Sequence, residues 1–372
     1  MTPAAGRVTA RRPVTESRAA GAVSVLLAVV LLGGIVGCGD RSSASPNAGP
    51  GSGSDRTPLA VVLPRRGELA LVDPRRGVVS RIKVGASPWG VAVAGDRAYV
   101  SAARHVAVVD VRRARVIARV RYADGPGRVE LGEYRAGGMG VAVAPDGRRV
   151  YIGVNTGNGP GRLEVLDARR LKMVGGARIG ERPFDVLAAE DGRSVFTVDH
   201  DSYGVTAVDT RTLGSRFLPV APLGRGAFDK LNYGALDEAG RLLLPINGEI
   251  LATLDPRSGR VTTRRMRSRV HQAGVALSRG RLLTVGAESL EGGSPNLSIY
   301  DLATGRERIV PLDRPHEEIA VDAEGAVAYL SGGYTRGGWA GITAVTLGSG
   351  RVREIHLDDE PLGIALSRAR RP

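Results

Sequence analysis

One cysteine, Cys38, stands in 372 residues, so no disulfide within the chain can brace the fold. Aromatic residues make up only 4% of the chain, which makes each one that occurs informative. Lysine is confined to Lys83, Lys172 and Lys230, so the 52 basic residues are almost all arginine, as a GC-rich genome favours. The one long apolar stretch, 23–36, has 14 residues and is too short to cross a bilayer as a helix. No Gly-x-Ser-x-Gly elbow, Walker loop, dinucleotide fingerprint or Cys–His pair occurs. The chemistries those motifs serve have no footing in this chain.

What the chain has in quantity is a repeat. A short apolar run with small residues at alternate positions reads Trp89-Gly90-Val91-Ala92-Val93-Ala94, and again Met139-Gly140-Val141-Ala142-Val143-Ala144. Weaker copies follow at 184–189, 232–237, 273–278, 318–322 and 362–367. Each run reads as strand A of a unit of about 40–50 residues, with strands B, C and D after it. Neither alternating set is polar, so both faces of strand A are expected to be buried between neighbours. B strands begin near Leu59, Ala98, Val150, Val195, Leu242, Leu282 and Val327. Strand C ends in Asp73, Asp110, Asp167, Asp209, Asp255 and Asp301, with Thr346 in the seventh copy. These aspartates read as turn residues whose carboxylates take the backbone amides ahead of them. The chain enters on a strand B and leaves on a strand A. The pattern predicts an all-β, seven-bladed β-propeller of four-stranded antiparallel blades. Its ring closes when the C-terminal strand A pairs with the N-terminal strands B–D.

The run Pro145-Asp146-Gly147-Arg148-Arg149-Val150-Tyr151-Ile152-Gly153-Val154-Asn155 resembles the YVTN-type propellers, a family that includes bacterial surface-layer and periplasmic proteins. Tyr99-Val100-Ser101 and Tyr329-Leu330-Ser331 are weaker copies. The resemblance covers 59–372 and implies the fold. The family holds binding proteins and enzymes alike, so it implies no single activity. The Gly-His and Trp-Asp signature of WD40 repeats is absent.

A segment of different composition precedes the repeats. Arg7, Arg11, Arg12 and Arg18 lead into the apolar stretch with only Glu16 against them, the order of a secretory signal peptide. The stretch ends in Ile35-Val36-Gly37-Cys38, which resembles the bacterial lipoprotein lipobox. That resemblance implies cleavage before Cys38, lipidation of its thiol, and an exported chain anchored to the outer face of the cell membrane. Arg11-Arg12 lacks the apolar residues that follow a twin-arginine export pair, and the export route stays open. Residues 39–57 are rich in Ser, Gly, Pro and Asp without apolar periodicity, the composition of a flexible tether. The expected organisation is a signal peptide at 1–37, a lipidated Cys38 with a tether to 57, and a propeller at 58–372. Loss of 1–37 removes four Arg and one Glu from a chain of net charge +14 and leaves +11.

Loop length separates the two faces of the ring. A–B and C–D turns are short. All insertions fall on the other face, at 155–161, 199–204, 287–296 and 332–340 between B and C, and at 123–138 and 219–231 between D and A. Long loops on a rigid scaffold are where binding residues sit. Tyr134, Arg135, Tyr203, Lys230, Tyr233, Tyr334, Arg336 and Trp339 fall on or beside these loops. Aromatic groups mixed with cations suit protein recognition and the stacking of single-stranded nucleic acid. His200, His271 and His316 map to the same face, with Asp201 and Glu317 beside two of them. They are candidate ligands for a divalent metal, the one cofactor these residues suggest, with no tight ligand spacing to join them. Trp89, at the start of a strand A, is expected to line the inner ring.

These features point first to a monomeric, lipid-anchored binding or scaffold module that takes a protein or cell-envelope partner on its long-loop face. Two alternatives stay open. One is a propeller that binds a divalent metal, for metal handling or a lyase-like reaction. The other is a binder of polyanions or single-stranded DNA, drawn by the net charge.

Overall fold

In a computed structural model of the protein, residues 58–366 are described apart from 124, 126–127, 222–229, 247–249, 289–292 and 334–337. The signal segment, Cys38, the tether, Tyr334 and Arg336 lie outside the described residues, and of His271 only the backbone is described.

The strands form seven four-stranded sheets, one per repeat, each joined by antiparallel pairing. This is a seven-bladed β-propeller. Blade 1 combines Leu59–Leu63, Glu68–Asp73 and Gly77–Lys83 with the C-terminal pair Ile364–Ala365. The inner strands of blades 2 to 7 are Val91–Ala94, Gly137–Val143, Pro183–Ala188, Ala235–Leu236, Val270–Ser278 and Ile319–Val321. The ring closes as the order of the repeat demands. Ala60 pairs with Ala365 and Val61 with Ile364. The Val62 N–H donates to the Gly363 carbonyl at 2.8 Å, and the Leu362 N–H to the Val62 carbonyl at 2.9 Å. Ion pairs Arg65–Glu360 at 3.1 Å and Arg66–Asp359 at 3.7 Å lie beside this closure, on the surface where such pairs add little.

Blade 1 shows why its strands are apolar on both sides. Leu59, Val61 and Leu63 pack on Tyr329 and Ile342 of blade 7. Ala60 and Val62, which alternate with them, pack on Val100 and Val109 of blade 2. An apolar cluster of this kind fills each of the seven blade-to-blade interfaces. Burying one Val or Leu contributes about 1.5–3 kcal/mol, so packing between sheets holds the ring without a disulfide.

The inner strands differ from the sequence expectation. Val91–Ala94 and residues 141–143 are half-exposed rather than buried on both faces. Both alternating sets still pack on neighbours, Val141 and Val143 on the cluster shared with blade 2 and Ala142 on that shared with blade 4, but the cover is incomplete. The turn aspartates act as expected. The Asp167 carboxylate accepts the Arg169 and Arg170 N–H groups at 2.9 and 2.8 Å, and Asp209 accepts those of Arg211 and Thr212 at 3.0 and 2.7 Å. Asp73, Asp110, Asp255 and Asp301 repeat the arrangement.

Candidate functional site

Each inner run begins with two residues at equivalent places around the axis. The first place holds Trp89, Met139, Phe184, Tyr233, Ala273, Glu317 and Leu362; the second holds Gly90, Gly140, Asp185, Gly234, Gly274, Glu318 and Gly363. At the first place Trp89, Met139, Phe184 and Leu362 form a buried cluster, with the Trp89 and Phe184 ring centroids 5.5 Å apart. Trp89 thus lies on the inner ring, as its sequence position suggests. The cluster joins the starts of the inner strands of blades 1 to 4. At the second place, crowding selects glycine. A Cβ on Gly140 would lie 2.6 Å from the Asp185 Cα, and one on Gly363 would lie 2.6 Å from the Trp89 carbonyl oxygen.

Two blades break this rule with an acid. Asp185 of blade 4 reaches to blade 5, accepting the Gly234 N–H at 3.1 Å and the N–H of its own neighbour Val186 at 2.8 Å. Glu318 of blade 7 reaches to blade 1, accepting the Ile364 N–H at 3.2 Å. Both carboxyls lie deep in the ring but keep an edge on the channel, where they are half-buried by area. Desolvation pushes Asp185 up to about 7. It pushes Glu318 up to about 8 against the Ile364 hydrogen bond, with the charges of Asp185 and Glu317 adding to the rise. Among the described residues no arginine or lysine stands among the groups that set either value. The Tyr233 hydroxyl sits beside the Glu318 carboxyl, whose ionised form it favours, and beside the Trp89 indole. Burial and the nearby acids hold it well above the usual phenol range.

A second cluster lies on the long-loop face. His200–Ser202 form one 3-10 turn, ended by Tyr203 at φ +55°, a left-handed conformation uncommon for a bulky residue. His200 is buried, with Nδ1 2.9 Å from the Leu231 carbonyl and its ring stacked on Phe184 at 4.3 Å. Burial pushes His200 down to about 4, so the ring is neutral near pH 7 and Nδ1–H donates to that carbonyl. Asp201 is held by Arg182 and Lys230, both at 2.5 Å. Arg182 lies 4.1 Å from the Tyr134 ring centre and Lys230 lies 5.9 Å from that of Tyr203. Tyr134, Tyr203 and Lys230, from three different loops, are therefore brought together.

Two clefts lie among these loops, and Val129, Glu130 and Leu131 line one of them. One, of about 580 Å³, is lined by Pro160, Arg178, Glu181, Asp201, Tyr203 and Phe217 among others. The other, of about 630 Å³, is lined by Arg65, Arg66, Lys83, Arg119, Val129 and Leu131 among others. Leu131 is 52% exposed and Tyr134 57% exposed, high values for apolar side chains of their size.

The remaining candidates have internal roles. Arg135 is 1% exposed. Its guanidinium donates to the Ala136 and Gly138 carbonyls at 3.0 and 2.5 Å and lies 5.5 Å from the centre of the Trp89 ring. Its charge is held by the loop instead of being presented to a partner. Trp339 is also buried, between Arg314 at 5.0 Å and the rings of His316 and His356 at 6.2 and 6.0 Å. Both were expected on the exposed face; the long loops fold back and use them as their own small core. His316 Nε2 is 2.7 Å from the Thr343 hydroxyl, and burial pushes this ring down to about 4. Tyr233 and Glu317 stand at the axis. His200 and His316 thus occupy separate blades with separate partners. Among the described residues no three His, Cys, Asp or Glu side chains converge as metal ligands would. The sequence reading passed over Asp185 and Glu318 as site residues. The signal that could have found them is an acid at a place where five of the seven copies have glycine.

No family model matches this sequence, and no curated protein is similar to it by sequence. Solved structures share its fold. Hydrazine synthase of Kuenenia stuttgartiensis is 16% identical with a TM-score of 0.60, over 75% of this chain and 89% of that one. A functionally unknown protein from Desulfotomaculum acetoxidans DSM 771 is 10% identical with a TM-score of 0.65, over 84% and 99%. Dihydro-heme d1 dehydrogenase NirN, solved in complex with DHE, is 15% identical with a TM-score of 0.54, over 86% and 77%. At these identities the likeness carries the fold alone.

Proposed function

We propose that the protein is a lipid-anchored, extracytoplasmic propeller serving as a binding or scaffold module. Residues 128–136 and the two clefts among the long loops form the partner surface. The observation that carries this reading is the exposure of Leu131, on the lining of one cleft, and of Tyr134, whose ring lies against Arg182, on a rigid ring. Exposed apolar anchors next to clefts are the usual makings of a recognition surface. The lipobox resemblance and the tether support an address at the outer membrane face, which makes a cell-envelope protein the partner of choice. The cations around the larger cleft favour this over a polyanion. Arg65 and Arg66 pair with Glu360, Asp358 and Asp359, and Lys83 pairs with Glu68. The test is capture of cross-linked partners from the cell envelope by the wild type and by the double variant Leu131→Asp, Tyr134→Ala. Both side chains are exposed, so the melting temperature should hold while the captured partners are lost. An unchanged set of partners would contradict the reading.

A further inference from the structure

We infer that the larger cleft, between blades 1 and 2, is a carboxylate-binding groove: it takes an acidic side chain of the partner on Arg119 and Ser87, and the apolar neighbour of that residue on Val129 and Leu131. The inference deepens the recognition surface proposed above and rests on that reading for its partner. The charged residues that line the cleft are Arg65, Arg66, Lys83, Arg119 and Glu130. Four of them have a counter-ion within the chain. Arg65 pairs with Glu360, Arg66 with Asp358 and Asp359, Lys83 with Glu68, and Glu130 with Arg128 at 3.6 Å. Arg119 pairs with no carboxylate among the described residues. It donates through Nη2 to the Lys83 carbonyl at 2.7 Å, a bond that orients the guanidinium at the cleft and leaves its other donors for a ligand. Exposed arginines without a counter-ion are common on so basic a chain, so the head of the cleft has to decide the matter.

Ser87 lines that head and is 4% exposed. Its hydroxyl has no hydrogen-bond partner, and its backbone is held at φ +48°, in the left-handed region that few residues with a side chain enter. A buried donor left in this state asks for an acceptor. The smaller cleft lies in the equivalent groove, between blades 3 and 4, and shows what the larger one lacks. Ser87 and Arg182, at φ +48° and +53°, are equivalent, since each precedes the proline that leads into an inner strand. Ala103 and Asp201 are equivalent too. The Ala103 N–H donates to the Ala86 carbonyl at 3.1 Å, and the Asp201 N–H to the Glu181 carbonyl at 3.3 Å. In the smaller cleft Arg182 and Asp201 pair at 2.5 Å. In the larger one Ser87 and Ala103 take their places, so an internal carboxylate is missing there and two small residues leave room for one from outside. The wall differs as well. Arg119 stands opposite Ala107 and Phe217 opposite Thr206, the third residues of the matching strands His105–Asp110 and Gly204–Asp209. The place that is aromatic in one cleft is cationic in the other. A carboxylate offers two acceptor oxygens, which match the Arg119 fork and the Ser87 O–H. Val129 and Leu131 beside them suit the side chain next to an acidic residue in a peptide, and a bare polyanion gains nothing from that wall.

The experiment is calorimetric titration of the full-length protein with a capped tetrapeptide in which glutamate precedes leucine, and with its glutamine counterpart. The glutamate peptide is expected to bind saturably and about tenfold or more tighter than the glutamine peptide. Arg119→Gln should remove that preference, so that this variant binds the two peptides alike, the mark of a direct pair in a double-mutant cycle. Arg119 is exposed on an outer strand, so this variant should melt as the wild type does. Ser87→Ala should weaken the glutamate peptide several-fold without lowering the melting temperature, because it deletes a donor that has no partner in the free protein. No preference for glutamate, a preference that survives Arg119→Gln, or Arg119-dependent binding to phosphatidylglycerol vesicles with none to the peptide would overturn the site. The result is separable from that of the envelope capture. Partners lost in Leu131→Asp, Tyr134→Ala together with no glutamate preference would overturn the groove and leave the recognition surface standing. An Arg119-dependent glutamate preference with an unchanged set of captured partners would overturn the recognition surface and keep the groove.

Discussion

Asp209 and Asp185 lie in the same blade, and each accepts two backbone N–H bonds, yet their acidities move in opposite directions. Asp209, in water on the short-turn face, is held below the usual carboxylate range by the Thr212 and Arg211 amides and the Thr212 hydroxyl. Asp185, with bonds of 3.1 and 2.8 Å at the axis, is pushed up to about 7. Asp199 makes the point a third time. It is fully buried and accepts bonds from Thr197 at 2.7 Å, Thr206 at 2.5 Å and Gly180 at 3.3 Å, yet desolvation still raises it to about 7. Hydrogen bonds of similar length are present in all three. Access to water decides the sign. The ring therefore sorts these acids by burial, whether at the axis as Asp185 or at the end of a second strand as Asp199. Those at the ends of strand C cap turns as anions, and the buried ones are kept close to neutral, where a change of pH can alter their charge.

The comparison breaks most severely if an ordinary inner strand has room for a side chain. Gly140→Ala places a Cβ 2.6 Å from the Asp185 Cα and should cost about 3 kcal/mol by urea unfolding, the upper end for overpacking. Native stability in this variant would mean that the acids of blades 4 and 7 are not exceptions to a packing rule. The smallest effect belongs to the turns. Asp209→Ala removes an acceptor whose amide partners return to water, so the melting temperature at pH 7 should fall only slightly. A carboxyl with a lowered folded value contributes stability above its unfolded value and loses it as pH falls. The difference from wild type should therefore shrink between pH 7 and pH 3. A difference that stays constant would assign the loss to packing rather than to charge.

Much of the fold was legible in the sequence because the repeat writes it seven times. The starts of the B strands, the aspartates ending strand C and the closing pair 364–365 all follow from counting copies. The faces were legible from loop length, and the structure places Tyr134, Tyr203 and Lys230 together there. The fate of individual loop residues was not legible. Arg135 and Trp339 carry the residue types of an exposed recognition patch, but loops lack the periodicity that tells an inward side from an outward one. The axial acids were hidden for another reason. Glu318 reads as the first residue of a weak copy and Asp185 as the second residue of another. Only the spatial equivalence of the seven inner strands shows that both stand where the others need glycine.

The central claim is that the axis holds its carboxyls protonated at a pH where ordinary carboxyls are ionised. Its most direct test is the free energy of unfolding from pH 5 to pH 9 for the wild type and for Asp185→Asn, Glu318→Gln. Values of about 7 and about 8 in the folded protein lie above the ordinary carboxyl values of the unfolded chain. The folded state then binds more protons across this range, and stability falls as pH rises until both groups are ionised. His200 and His316, lowered to about 4, oppose this trend on the acid side, but they are common to both proteins and cancel. The wild type should lose at least about 1 kcal/mol relative to the carboxamide variant between pH 5 and pH 9, a figure already reduced for water in the channel. Parallel curves across that range would contradict the account.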